Sequence, residues 1–337
     1  MNKSEIKERI KHLVYGVPML EVMSQDVKSL IIKGKYPPLL EKKPVVISMQ
    51  NSIFHAAGLC DRLRGMCGTY SICKELGLEY KIAHLHPFNL YDYLRPNKVD
   101  WHIDEKDIDW DKHNVKVIQW RPIPNVLTGR KPDEAGAFNY KQLEKRIAKV
   151  KNKRQIHVYG NMYCIPTEEF HGILNELFKP TEELQALVDW NKEQIGGQYI
   201  SISTRFQNLL GDFVDGNSSP ATEEEQKEYI EKCLEGIEKL HKMNCDKKVL
   251  VTSDSSKFIS EVTKKSYVYV IPGEIGHVAF YKGGKEQSVH MKTFLDLLTI
   301  SGAKKVYQIR VGRMYGGAFS HTAALMGGRP YELVDFK

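Results

Sequence analysis

From Tyr199 onward, apolar runs and helix-like segments alternate without interruption, and this alternation restricts the fold more than any other feature of the chain. Tyr199–Thr204, Val249–Thr252, Tyr267–Ile271 and Lys305–Ile309 read as strands. Helices lie between and after them. One is opened by Thr222 and Glu225 as a capping box and runs to Met243, and the others cover Ser255–Val262, Met291–Ser301 and Ala318–Met326. Strand and helix in regular turn predict an α/β doubly wound parallel sheet.

The first half is less regular. Val45–Met49 reads as a buried strand, Asp61–Leu76 as a helix ended by Gly77, and Glu79–Ala83 as a returning strand, which together make one βαβ unit. Val115–Trp120 and Arg154–Gly160 are further candidate strands. Pro166-Thr167-Glu168-Glu169 and Pro180-Thr181-Glu182-Glu183 each open a helix, the second running to about Ile195. Residues 100–140 show no strong period. Gly196-Gly197 is the expected boundary, giving domains 1–195 and 196–337.

A chain of 337 residues is long for one core, which agrees with two domains. With 42% hydrophobic residues and a mean hydropathy of −0.41 it reads as a soluble protein, and no apolar run approaches the ~18 residues of a membrane span. The first residues mix charges and predict a surface helix with Ile6, Ile10, Leu13 and Val14 on one side rather than a secretory signal. The formal net charge of +7 favours an acidic partner: nucleic acid, an anionic membrane surface or a phosphorylated ligand. The basic residues are dispersed among acids, which argues for a solvated surface and against nucleic acid; peripheral membrane association stays open. Six cysteines without a Cys-x-x-Cys pair speak against structural zinc and fit small buried residues in a reducing cytoplasm.

Gly58-Leu59-Cys60-Asp61-Arg62-Leu63-Arg64-Gly65 lies between the first strand and its helix. A glycine there would let a ligand approach, and a helix start with Arg62 and Arg64 suits a phosphate or a polyhydroxylated sugar. The alternative is a βα turn with solvated arginines.

Ligands of open α/β sheets sit outside the carboxyl ends of the strands, which selects four places in the second half. Arg205, after the strand ending in Ser203-Thr204, could grip a phosphate with its fork of donors, or could pair with Asp212. Asp254 or Ser255 could cap the next helix or touch a ligand. Asp296 is a lone carboxylate on an apolar helix and needs a partner, for which the N–H edge of guanine is a candidate and solvent the alternative. In Gly316-Gly317-Ala318-Phe319-Ser320-His321, backbone N–H groups and the Ser320 hydroxyl would cradle a diphosphate, unless the small residues serve close helix packing. No Walker loop, Gly-x-Gly-x-x-Gly, Gly-x-Ser-x-Gly or His-Glu-x-x-His occurs. His84 and His86 alternate on a strand but have no evident third metal ligand. Tyr91, Tyr93, Trp101, Trp110 and Trp120 could stack on sugars or pack a core.

Taken in order, these segments resemble the fucosyltransferase superfamily of α-1,6-, α-1,2- and protein O-fucosyltransferases, nearest in tone to bacterial polysaccharide-modifying members. Gly58–Gly65 looks like its N-terminal Arg-Leu segment, and Ile202-Ser203-Thr204-Arg205 like its donor motif. Val251-Thr252-Ser253-Asp254, Asp296 through Ser301 and Phe319-Ser320-x-x-Ala323 resemble its later motifs. The resemblance spans residues 45–334. It implies a GT-B fold of two Rossmann-like domains with an interdomain cleft, a first domain that binds a glycan acceptor, and a second that binds GDP-fucose or another nucleotide sugar. It implies no metal and no cofactor besides that donor.

On this analogy Arg205 holds the β-phosphate, Asp296 pairs with guanine, and Ser320 with Gly317, Phe319 and His321 holds the phosphates, while Arg62, Ser203 and Asp254 complete the donor site. Transfer would invert the anomeric centre, with Asp212, Asp215 and Asp61 as candidate bases. The chain departs from the family pattern where Ser203 replaces the motif histidine, Phe206 its second arginine and Asn208 its acid. These departures leave open a non-catalytic nucleotide- or glycan-binding relative and a transferase for another sugar.

Overall fold

The computed structural model describes residues 43–49, 58–120, 129, 131–150, 153–160, 167–213, 219–244, 247–279 and 284–336. The expected first helix, Cys164, Cys245 and Asp215 lie outside the described residues. The chain divides into two compact units, Met1–Lys179 and Pro180–Lys337.

The first unit is built on a four-stranded parallel sheet in the order β2-β1-β5-β4, from β1 (Val45–Met49), β2 (Tyr80–Ala83), β4 (Val115–Gln119) and β5 (Gln155–Tyr159). The short β3 (Leu94–Pro96) pairs with β6 (Phe178–Pro180) in a separate ribbon. Helix α1 (Leu59–Leu76) follows β1 and is buried on nearly every side, by Leu59, Leu63, Met66, Tyr70 and Ile72 among others. Gly77 ends it in the left-handed conformation, φ 62°, with its N–H turned back to the carbonyls of Cys73 and Lys74. Cys60, Cys67 and Cys73 are buried thiols on α1, and burial raises the pKa of the latter two. A helix unforeseen in the sequence, α2 (Pro132–Ala148), fills part of the aperiodic stretch. Its signals were a proline at the first position, Glu134 accepting from the Lys131 N–H, and Tyr140, Leu143 and Ile147 at helical spacing, all buried. Helix α3 (Thr167–Leu177) packs on α1, where Tyr70 Oη donates to Glu176 at 2.8 Å.

The second unit begins earlier than Gly196-Gly197. Helix α4 (Glu182–Ile195), capped by the Thr181 hydroxyl, buries Leu184, Val188, Asn191 and Ile195 along one stripe. It packs on α7 (Glu286–Ser301), and Asn191 accepts from Tyr269 Oη at 2.7 Å. The two glycines, with φ of 75° and 107°, form the turn into the sheet and not a linker between domains. The expected boundary thus moves to Lys179/Pro180, because the apolar stripe of α4 is satisfied by the second unit.

Five strands follow, β7 (Tyr199–Thr204), β8 (Lys248–Ser253), β9 (Val268–Tyr269), β10 (Val306–Val311) and β11 (Tyr331–Phe336), all parallel in the order β11-β10-β7-β8-β9. The predicted doubly wound sheet is present; β11, half-exposed at the edge, was not foreseen. β7 is buried at every position, as the middle strand of a sheet covered on both faces must be. The capping box of α5 (Glu223–Lys242) forms as read, with Glu225 N–H donating to Thr222 Oγ1 and Thr222 N–H to Glu225 Oε2. Helix α6 (Ser256–Val262) joins β8 to β9, and α8 (Phe319–Gly327) joins β10 to β11. The chain winds outward from β7 through β8 to β9, then returns to lay β10 and β11 on the other side. The order therefore reverses at β7, the kind of switch point at which such sheets bind ligands.

Candidate functional site

The carboxyl end of β7 carries a polar network. Within the sheet, Ser203 Oγ bonds Thr252 Oγ1 at 2.8 Å and Thr204 Oγ1 donates to Ser253 Oγ at 2.9 Å. Just past the strand, the buried Asp254 carboxylate accepts from Phe206 N–H at 2.8 Å and from Gln207 N–H at 2.7 Å. Gln207 sits at φ 55°, the left-handed region that a residue with a side chain occupies at a cost. The two bonds from Asp254 hold the turn in that shape and thereby fix where Arg205 emerges. Burial raises the Asp254 pKa, and Arg205 with the two amides pulls it back down.

Arg205 is a partly exposed cation at this edge. Its Nη1 lies 3.4 Å from Asp254 Oδ2, its guanidinium stands 4.9 Å from the Phe213 ring centre, and its side chain is 27% exposed. It pairs with Asp254 and not with Asp212. Asp212 Oδ2 instead accepts from Ser255 Oγ, Ser256 Oγ and Lys257 N–H at 2.8–3.0 Å, which caps α6 from outside. Ser255, the other expected cap, accepts from Phe258 N–H. Asp254 thus holds the turn beside Arg205, and Asp212 caps the helix through Oδ2 while its buried Oδ1 has no hydrogen-bond partner among the described residues. Phe206, where the family pattern has an arginine, is fully buried against Phe258.

The glycine loop after β10 lies beside Arg205. Tyr315 N–H donates to the Arg205 carbonyl at 3.2 Å, and a Cβ on Gly317 would touch Arg205 Cγ at 3.6 Å. Gln308, buried on β10, clamps this loop: with its amide oriented to satisfy its neighbours, it accepts from Gly317 N–H and donates to Gly317 O, both at 3.0 Å, and to Tyr331 Oη. The Gly317 N–H is thus engaged inward. Ser320 is 1% exposed and faces Gln308, while His321 lies on the Tyr331 ring at 4.6 Å and Phe319 is half-buried. The expected phosphate cradle is turned toward the sheet at Gly317 and Ser320, because both lie over the buried amide of Gln308. Tyr315, 53% exposed, was missed in the sequence; its only signal was an aromatic directly before two glycines.

Asp296 has the partner its burial demands, and that partner is Lys292 at 2.6 Å, one helical turn earlier on α7. Burial raises the Asp296 pKa and Lys292 opposes the rise. The Lys292 stem passes so close to Gly273, at φ 144°, that a Cβ there would sit 2.9 Å from Lys292 Cδ. The i, i+4 spacing of Lys292 and Asp296 is legible in the sequence.

In the first unit, Gly58 holds an ordinary extended conformation, and no described atom lies within 4 Å of a would-be Cβ. Arg62 is not solvated but buried, and desolvation lowers its pKa to about 10. Asp61 beside it is raised by burial, against the pull of Arg64 and Arg62. His84 is buried, bonded through Nδ1 to Phe88 O at 2.9 Å, and kept neutral first by burial and then by Arg62. Of the candidate sugar-stacking rings, Tyr93, Trp101, Trp110 and Trp120 are core residues. Among the described residues no group of three or more His, Cys, Asp or Glu could hold a metal ion, and no helix is long and apolar enough to cross a membrane.

Sequence comparison finds no matching family model and no matching curated protein. Structure comparison does find likenesses. The chain is similar to the α-1,6-fucosyltransferase NodZ of Bradyrhizobium soaked with GDP-fucose, at 15% identity and TM-score 0.56 over 88% of this chain and 96% of that one. It is similar to a variant of Arabidopsis thaliana FUT1 in complex with GDP, at 13% identity and TM-score 0.54 over 93% and 75% of the two chains. It is also similar to apo POFUT1, at 11% identity and TM-score 0.53 over 88% and 99%. The fold is that of the GT-B fucosyltransferases.

Proposed function

We propose that this chain belongs to the fucosyltransferase superfamily and transfers a sugar from a GDP-linked donor, fucose in the first instance, to a hydroxyl of a glycan. The observation that carries the reading is Arg205 at the carboxyl end of the central strand, at the switch point of the sheet, oriented by Asp254 and flanked by the Gly316-Gly317 loop. A guanidinium there supplies fixed charge and forked donors for a diphosphate. NodZ with GDP-fucose and FUT1 with GDP support the choice of donor through the shared fold.

In the reaction the acceptor oxygen attacks C1 of the sugar, the bond from C1 to the β-phosphate oxygen breaks, and GDP leaves with the bonding pair as the anomeric centre inverts. Arg205 neutralises the charge growing on the departing diphosphate. The acceptor proton passes to a base; with Asp212 Oδ2 held as a cap, Asp61 and Asp215 are the preferred candidates. No metal is required in this scheme. A thermal-shift panel of nucleotide sugars followed by transfer assays tests it: stabilisation by GDP and GDP-fucose with release of GDP in the presence of a glycan is expected, and indifference to every GDP compound overturns it.

One observation favours a second reading. Phe206 fills a core position where the family pattern has an arginine, so the site holds one cation fewer. A non-catalytic GDP-sugar binder would show the thermal shift without turnover on any acceptor.

A further inference from the structure

The first unit contains a cation with no counter-ion among the described residues. Arg95, on β3, is half-buried and has its guanidinium carbon 3.8 Å from the Tyr91 ring centre. His102 lies 3.9 Å from the same centre. Two groups this near one ring centre occupy its opposite faces, so His102, Tyr91 and Arg95 form a three-layer stack. The stack is rigidly based. Tyr91 N–H donates to Asn89 Oδ1, its ring meets Trp101 edge-on at 6.1 Å, and buried Trp101 is pinned through Nε1 to Leu177 O at 2.6 Å.

Among the described residues one nitrogen of this guanidinium is left unsatisfied. Arg95 Nη1 is shielded from solvent and has no hydrogen-bond partner, and no carboxylate among the described residues pairs with Arg95. The nearby acids are engaged elsewhere: Asp92 accepts from Asn89, Asp100 from Lys81 at 3.0 Å, and Asp104 lies 3.4 Å from Lys106 Nζ. A guanidinium nitrogen buried without an acceptor is unusual, since a buried polar group without a partner is costly and the ring face returns only part of that cost. The segment also has the right address, because Tyr91 and Arg95 come from the chain leaving the carboxyl end of β2, and His102 bridges back to Ile82 of that strand.

We propose that Arg95, held by the Tyr91–His102 stack, is a binding subsite for the oxyanion of a charged sugar, a carboxylate or a phosphate. Resting on the function proposed above, this makes the acceptor an acidic glycan whose charged unit is read by Arg95. A planar guanidinium matches both oxyanions bidentately, whereas a neutral sugar leaves it unpaired.

The test is equilibrium binding to the full chain of three probes: a glucuronate-containing disaccharide, its carboxyl-reduced neutral counterpart, and glucose 1-phosphate. At least one anionic probe should bind tenfold or more tighter than the neutral disaccharide, and the stronger of the two identifies the source of the oxyanion. Arg95→Gln should erase the preference, and Arg95→Lys, which keeps the charge but loses the fork, should retain only a small part. GDP-induced stabilisation of Arg95→Gln, measured in parallel, should equal that of the wild type; this also certifies its folding, and an intact thermal transition does so if GDP fails to bind. Equal binding of acidic and neutral probes, no binding of either anion, or a preference that survives Arg95→Gln overturns the proposal. A failure of GDP to bind would strike the donor reading and leave this result standing.

Discussion

Asp254 and Arg205 are coupled twice, through an ion pair with 3.4 Å between Oδ2 and Nη1 and through the backbone that Asp254 holds in place immediately after Arg205. A carboxylate that fixes a strained turn beside the cation it neutralises is a device for orienting that cation. Asp254→Asn keeps the size but replaces one of the two accepting oxygens with a donor. The variant should lose about 1–3 kcal/mol of stability and bind GDP roughly tenfold more weakly, as read by denaturation and calorimetry. An unchanged GDP affinity would separate Asp254 from the site.

Arg205→Gln removes the charge from a partly exposed position and so should barely move the melting temperature. Its GDP affinity should fall by about 2 kcal/mol or more, roughly thirtyfold. A large loss of stability with GDP binding intact would make Arg205 a structural residue.

Asp212→Ala separates a cap from a base. Loss of three bonds at the start of α6 should cost about 1–2 kcal/mol of stability, while transfer per folded molecule stays within about twofold of wild type. A collapse of transfer in a folded variant would restore Asp212 as the base.

The Lys292–Asp296 pair predicts a pH dependence. Burial already raises the Asp296 pKa and Lys292 restrains the rise, so Lys292→Met should push it higher. A carboxyl whose folded pKa exceeds its unfolded one makes the native state bind more protons, and stability then falls as pH rises through the interval between the two. The variant should therefore be destabilised by about 3–5 kcal/mol at pH 8 and by less at pH 5, and Lys292→Met with Asp296→Leu should recover most of the loss. Equal destabilisation at both pH values would show that the pair is not the cause.

Gly327→Ala tests how α8 meets α7. A Cβ at Gly327 would overlap the Ser301 carbonyl oxygen at the end of α7, and backbone cannot yield as a side chain does. Unfolding should show a loss of about 3 kcal/mol or more. A neutral substitution would mean that this junction is loose.

The parallel sheet of the second unit, its order of elements and the capping box at Thr222 were determined by the sequence, because apolar runs, helical periods and caps are local properties. So was the position of Arg205, since residues after buried strands fall at the carboxyl edge of such a sheet. The partners were not. Arg205 could have paired with Asp212 or Asp254, and only the folded turn, with Gln207 in a left-handed conformation, delivers Asp254. Asp296 needed a partner, and the tertiary packing that buries Lys292 against Gly273 supplied it. The glycine turn at 196–197 looked like a boundary until the stripe of Leu184, Val188 and Ile195 found its cover in the second unit. Ser320 and Gly317 lie at a helix start as read from the sequence, yet they face inward because Gln308, twelve and nine residues earlier in the chain, lies directly beneath them. Local sequence fixes which segments form and where their ends fall. Which polar group meets which is a competition among all groups that packing brings within about 3 Å, and that competition is decided only when the chain is folded.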